Sequence, residues 1–470
     1  MMRPTKKALM NGIAVLALAG ASALPMAAQA QETFGETDIV STPKVSFSTA
    51  ERGAPVVGGT VVKVAGEGFR PSQSVSILYG DTALTDGPLT ADADGKVQAE
   101  ITLPADAAPG IHQIVIFTEE PYSALVEELK VWPQVAEQGV DGFEVLATNP
   151  TNGLYQSAYS EASGALFAAA TAFGDPIKSE IVKIDPATMQ VTARVTPPAA
   201  PDRRGRGGTM MTDQVYAAFG IGVDDANGTI WVTNTFQNSV AVYRQSDLSL
   251  VKQFDEGAVY HSRDVVIDQE LGKAYVTASM TPDVYVFDTR TLEQVAVITI
   301  DTPQRGKSVG TASLSLDPEA HKLYVASIPT EEIAIIDTQT DKVSKVLPVP
   351  GGRATIGVSH DPATGRIFVV GRDTDGVTIM DEETGDLVAH TYFGSYPINV
   401  MFDADTGLAY ATARNGGMVG VVDVDGNLVA NFGGVKYANH VAGGPDGTVY
   451  VVDKRGGDDG DMITRIRPKD

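Results

Sequence analysis

The chain contains no cysteine. That one absence removes disulfides, thiolate metal sites, iron–sulfur clusters and a cysteine nucleophile. Long apolar runs are missing too: the stretch at residues 13–24 is too short to span a bilayer as an anchor. Positive charge is scarce, with 35 Lys and Arg against 59 Asp and Glu, a net charge of −24. Such a surface favours a soluble monomer and repels nucleic acid and anionic lipid overall, so any anion-binding site has to be a local patch. The six histidines, His112, His261, His321, His360, His390 and His440, form no pair at metal-ligand spacing. No Gly-x-Ser-x-Gly elbow occurs. Arg204-Gly205-Arg206-Gly207-Gly208 lacks the Lys-Ser/Thr of a phosphate loop, and the acidic run at 456–461 lacks calcium-loop spacing. These absences point to no cofactor, no metal and no convergent catalytic set.

What is present begins with an export pattern. Arg3, Lys6 and Lys7 precede the apolar stretch, and Ala28-Gln29-Ala30 fits a small-x-small cleavage site, so residues 1–30 read as a signal peptide. A periplasmic or secreted location follows. Removing three bases and no acids moves the net charge to about −27. Residues 31–44 are polar and read as a disordered N-terminal segment.

From residue 142 to 470 one pattern recurs seven times: an apolar strand, a turn with Asp and Gly, a strand reading aromatic-Val-Thr/Ala, a polar turn, then a strand ending in Asp. The second strands fall at 166–171, 230–235, 274–279, 323–328, 367–372, 409–414 and 449–454. From the second copy on, successive copies start roughly 40 to 50 residues apart, the period of a four-stranded propeller blade. Asn227-Gly228, Thr364-Gly365, Thr406-Gly407 and Asp446-Gly447 suit tight turns between the first two strands. The repeated Asp185, Asp288, Asp337, Asp381 and Asp423 read as structural turn caps, since a catalytic group has no reason to recur in every blade. Because the last copy stops after its third strand, the segment near 142–147 is expected to supply the missing outer strand.

Ile230-Trp231-Val232-Thr233-Asn234, Asn238-Ser239 and the closing Ile463-Thr464-Arg465-Ile466 carry a family likeness. The span resembles the YVTN-repeat, YncE-like periplasmic seven-bladed β-propellers, a family of secreted binding and surface proteins, although the fold alone does not choose a ligand. Ahead of it, residues 45–132 alternate apolar and polar positions, as in Thr60-Val61-Val62-Lys63-Val64, around the turns Gly66-Glu67-Gly68-Phe69-Arg70-Pro71 and Asp92-Ala93-Asp94-Gly95. This part resembles the small immunoglobulin-like domains of exported proteins. Residues 133–141 read as a linker. The expected architecture is therefore all-β, a seven-bladed β-propeller preceded by a small immunoglobulin-like β-sandwich.

Function is sought in the loops that join one blade to the next, which converge on the wide mouth of a propeller. Five of the six carry a base: Arg203, Arg204 and Arg206 in the first, then His261 and Arg263, Arg305 and Lys307, Arg353, and Lys436 with His440. A mouth lined by one sign of charge focuses its field, and Arg offers a planar fork for carboxylate or phosphate. The plainer reading pairs these bases with acids such as Asp202, Asp213 and Asp264. Tyr155, Tyr216, Phe219, Tyr260, Tyr396 and Tyr437 lie near the same loops and serve either as stacking surfaces or as packing between blades. The expectation is a non-catalytic protein that binds an anionic or aromatic ligand, single-stranded nucleic acid among them, with the N-terminal module as a tether or an envelope-protein contact. A propeller hydrolase, lactonase or redox enzyme, and a scaffold for envelope complexes, are the alternatives.

Overall fold

A computed structural model of the chain describes residues 41–51, 53–204, 208–454 and 460–469. The expected signal peptide, Arg206 and most of the acidic run at 456–461 lie outside the described residues.

The N-terminal part is a sandwich of two sheets. Lys44–Ser48, Val61–Glu67 and Val97–Thr102 form one sheet. Ser74–Tyr79, Gly110–Glu119 and Ser123–Val131, with the short strands Thr82–Ala83 and Leu89–Thr90, form the other. Val61–Glu67 alternates exposed and buried along its whole length, which is how a half-buried strand sorts its side chains. Val62, Val64, Val75, Ile77, Ile101 and Ile116 from the two inner faces meet in one core.

Seven four-stranded antiparallel sheets follow. Their inner strands are Leu154–Ser160, Ile221–Asp224, Ser262–Asp268, Thr311–Asp317, Thr355–Asp361, Pro397–Asp403 and Ala438–Gly443. Each inner strand contacts the next, and the seventh contacts the first, so the ring is closed. Blade 7 takes its outer strand from the start of the repeat region: Phe143–Thr148 pairs antiparallel with Ile463–Pro468. No outer edge of that blade is left to the chain's end.

The second strands explain why the blades stack. Phe167, Trp231, Tyr275, Tyr324, Phe368, Tyr410 and Tyr450 occupy the same position in successive blades, and all are essentially fully buried. One large ring per blade fills the wedge between sheets that splay apart with radius. Such a side chain buries roughly 150–250 Å², so seven of them carry much of the interblade contact. At the narrow face, the aspartates that end the third strands cap their turns as the pattern implies. Asp288 accepts the N–H groups of Arg290 (2.9 Å) and Thr291 (2.8 Å), and Asp381 those of Glu383 (3.0 Å) and Thr384 (2.9 Å). A second set, at the ends of inner strands, does the same: Asp224, Asp268, Asp317, Asp361 and Asp403 each accept a backbone N–H two or three residues on.

The segment between the two parts is docked. Gln138 and Asn431 exchange both backbone N–H···O bonds (3.2 and 2.8 Å), and the Glu137 carboxylate accepts the Gly433 N–H (3.1 Å), which lays this segment along the outer strand of blade 6. Lys130 of the sandwich meets Asp375 of blade 5 at 2.8 Å.

Candidate functional site at the mouth of the ring

The wide face is built by an irregularity at the start of the inner strands. In six of the seven blades the pairing of the inner with the second strand slips by one residue there, at Tyr155, Arg263–Asp264, Ala312–Ser313, Ile356, Ile398 and Asn439. A bulge adds a residue on one strand and re-aims side chains. Just ahead of it, Ala354 (φ 49°), Tyr396 (φ 61°) and Tyr437 (φ 55°) sit in the left-handed region, which a non-glycine residue adopts only when its surroundings enforce it. Their carbonyls accept the N–H groups of Arg372, Arg414 and Lys454, the residues that end the second strands of blades 5, 6 and 7. The equivalent residues of blades 1 and 3 are Thr171 and Ser279, bonded in the same way to Gly153 and His261. One repeat position thus carries bases in blades 5, 6 and 7, hydroxyls in blades 1 and 3, and Ile328, bonded to Gly310, in blade 4.

These features meet around an opening of about 200 Å³, lined by Tyr155, Gln156, Arg263, Ser313, Arg372, Tyr396, Asn399, Arg414, Asn439 and His440 among others. Among the described residues, Arg263, Arg372 and Arg414 have no carboxylate within salt-bridge distance, and the Arg263 Nε is buried without a hydrogen-bond partner. The neighbouring Asp264 is occupied elsewhere: it accepts the Leu314 N–H (3.0 Å), the Val265 N–H (3.1 Å) and the Gln156 amide (3.2 Å). Burial pushes its carboxyl above the usual range, against those bonds and the Arg263 charge.

His440 is a neutral member of the lining. Desolvation, with Arg263 adding to it, pushes its pKa down to about 3. The Ser157 N–H points at its Nδ1 at 3.4 Å, which leaves Nε2 as the donor. Lys454, beside Arg414, is pushed down to about 8 by desolvation against the pull of Asp461.

The bases expected from the interblade loops are dispersed by the fold. Arg263 and His440 line the opening. Arg203 lies to one side, in the short hairpin it forms with Met211, with its guanidinium 4.7 Å from the Phe236 ring centre. Arg204, His261, Arg305, Lys307, Arg353 and Lys436 are exposed on the surrounding loops and do not line it. Of the expected aromatics, Tyr155 and Tyr396 line the opening, Tyr216 (8 % exposed) and Phe219 (4 %) are packing, and Tyr260 is exposed. Arg372, Arg414 and Lys454 are absent from the sequence-based set. Aligning the seven copies on the last residue of the second strand would have found them, because three consecutive copies place a base at one column.

A second charged group lies between blades 4 and 5. His360 is buried: its Nε2 meets Glu382 at 2.9 Å, its ring stacks on Tyr324 at 4.3 Å, and Glu382 also binds Lys322. Burial outweighs Glu382 and holds its pKa below the usual histidine range. No three His, Asp or Glu side chains among the described residues converge as a metal site, and no helix among them is long and apolar enough to cross a membrane.

No protein-family profile matches the chain. It is similar to the uncharacterized protein YncE of Salmonella typhimurium, with 26% identity over 313 residues that cover 64% of this chain and 82% of that protein, and equally to its counterpart in Salmonella typhi. Among solved structures it superposes on a Kuenenia stuttgartiensis hydrazine synthase chain with a TM-score of 0.54 at 17% identity, covering 68% of this chain and 97% of that one. A streptogramin B lyase structure gives 0.51 at 14% identity, covering 71% and 100%. At such identities the two structures speak to the fold alone.

Proposed function

In this chain, which is a YncE-like β-propeller, we propose that the wide mouth of the ring is a non-catalytic binding site for an anionic ligand. One observation carries the reading: Arg263, Arg372 and Arg414 face one opening with no carboxylate partner among the described residues. A partly buried guanidinium without a carboxylate partner is a ready receptor for an oxyanion, which its planar fork of donors can pair bidentately. The strongly negative whole does not cancel this. At physiological salt the Debye length is about 8 Å, so distant carboxylates are screened while an ion inside the mouth is not. Tyr155, Asn399 and Asn439 add polar and aromatic edges that orient a ligand. With residues 1–30 as an export signal, the site belongs to a periplasmic or secreted protein, and the N-terminal immunoglobulin-like sandwich, tied to blade 5 through Lys130, is a tether or a contact for an envelope partner.

The test is a titration of inorganic phosphate and of short single-stranded oligonucleotides at low and high salt, for the parent and for Arg372→Gln/Arg414→Gln. Binding that weakens with salt and with the substitution supports the reading, and the slope of affinity against salt separates a single anion from a strand that contacts several phosphates. An absence of binding at low salt, or binding indifferent to the substitution, overturns it.

A further inference from the structure

Beside the mouth, the top face carries an aromatic group that the propeller core does not use. Phe219, Ile177 and Ala217 form a small buried cluster over blades 1 and 2, separate from the interblade cores, with Tyr155 and Phe236 packed against it. Phe173 lies outside this cluster, its ring centre 6.5 Å from that of Phe219 and 5.8 Å from that of Phe236, and it is 69% exposed. A lone exposed phenylalanine is ordinary, but this one has charged company. The Lys454 Nζ is 5.4 Å from its ring centre and 5.0 Å from that of Tyr155. Tyr155 belongs to both features: it lines the opening with the arginines and meets Phe219 edge-on at 5.0 Å. The cationic opening and the aromatic shelf therefore share a wall.

Resting on the reading of the mouth as an anion site, we propose that its ligand is an amphipathic anion, a carboxylate or phosphate joined by a short link to an aryl group. The anionic head pairs with Arg263, Arg372 and Arg414, and the ring lies against Phe173 and Tyr155. An inorganic anion leaves the shelf bare, and a neutral aromatic leaves the guanidinium groups unpaired. The combined ligand uses both, in the offset or edge-on contacts that aromatic rings prefer.

Calorimetric titration at low salt compares butyrate with 4-phenylbutyrate and inorganic phosphate with phenyl phosphate, with neutral 4-phenylbutanol as a fifth probe. The aryl member of each pair is expected to bind about tenfold tighter. Phe173→Ala, at an exposed position where folding is checked by melting, removes that advantage and leaves the affinity for butyrate and phosphate unchanged. Arg414→Gln weakens both members of each pair alike. Equal affinities within the pairs, or an advantage that survives Phe173→Ala, overturn the shelf while the anion site stands. Phenylbutanol binding as tightly as phenylbutyrate overturns the need for a charged head. If no anion binds, the mouth reading falls and this proposal with it.

Discussion

The two faces of the ring are made from the same repeat and treat charge in opposite ways. On the narrow face, aspartates recur blade after blade, and each is consumed by the turn it caps. Asp288, Asp337 and Asp381 are held below the usual carboxylate range chiefly by the backbone N–H of the threonine three residues on. On the wide face, the charged residues differ from blade to blade, and Arg263, Arg372 and Arg414 have no ion-pair partner among the described residues. Repetition with a turn N–H for each carboxylate is the signature of scaffolding, and variation with unmet hydrogen-bonding capacity is the signature of a surface that meets something else.

Substitutions on the two faces should separate cleanly. The largest effect is expected from Asp224→Ala. This fully buried carboxylate serves the Asn227 N–H (3.1 Å), the Asn227 amide (2.9 Å) and the Thr229 hydroxyl (3.3 Å). Losing it should cost about 2 kcal/mol in a denaturant melt while anion affinity stays at the parent value. A change in affinity would mean that the faces are coupled. Next, Arg372→Gln/Arg414→Gln should weaken phosphate binding about tenfold or more and leave the melting midpoint unchanged or raised. A clear loss of stability would assign the arginines to the scaffold after all.

Two pH measurements sharpen the contrast with smaller effects. His440 has a folded pKa of about 3, below the ordinary value of about 6.5. The unfolded chain then takes up its proton first, so stability is lost as pH falls from about 6.5 towards 3. Carboxylates contribute to the same acid limb, but they are common to parent and His440→Gln. The difference between the two urea midpoints, measured from pH 7 down to pH 4, should therefore isolate this limb, with the parent losing more. At the alkaline end, Lys454 gives up its charge at about pH 8. Desolvation lowers that value, Asp461 raises it and Arg414 lowers it again. Stability should rise slightly between that pH and the lysine's ordinary value near 10.4, because only the unfolded chain remains protonated there. Phosphate affinity should fall about threefold over the same step, and Lys454→Met should abolish the step.

Most of the narrow face could be read from the letters alone. A turn that needs Asn-Gly or Asp-Gly, and an aspartate at a fixed distance from it, obey local rules that need no tertiary knowledge: Gly228 (φ 62°) and Gly407 (φ 68°) sit where those rules put them. The closing strand Phe143–Thr148 was legible for the same reason, since a final copy with three strands needs a fourth. The wide face was legible only in part. Arg263 and His440, read from the sequence as loop residues, stand at the starts of inner strands and line the opening, whereas Arg305 and Lys307 lie on a loop and do not line it. The bulges decide which of these side chains turns inward, and a bulge leaves no local mark in the sequence. Arg372 and Arg414 were hidden at the ends of strands, where a charged residue looks like a strand running out. The setting of His360 is invisible to local reading, because its partners Glu382 and Tyr324 are remote from it in sequence.

The pairing of Ile463 with Thr148 and the bond from the Asn149 amide to the Asp461 carbonyl join residues 315 and 312 positions apart. Contacts of that span carry the entropy of closing the whole intervening loop before they return any binding energy. The ring therefore cannot latch until nearly its last strand has been made, and through synthesis and any passage across a membrane the blade 7 sheet has an open edge. In the folded ring the segment at 136–138, just ahead of the latching strand, is moored to the outer strand of blade 6. Refolding rate, more than stability, is where the junction between sandwich and propeller should be felt.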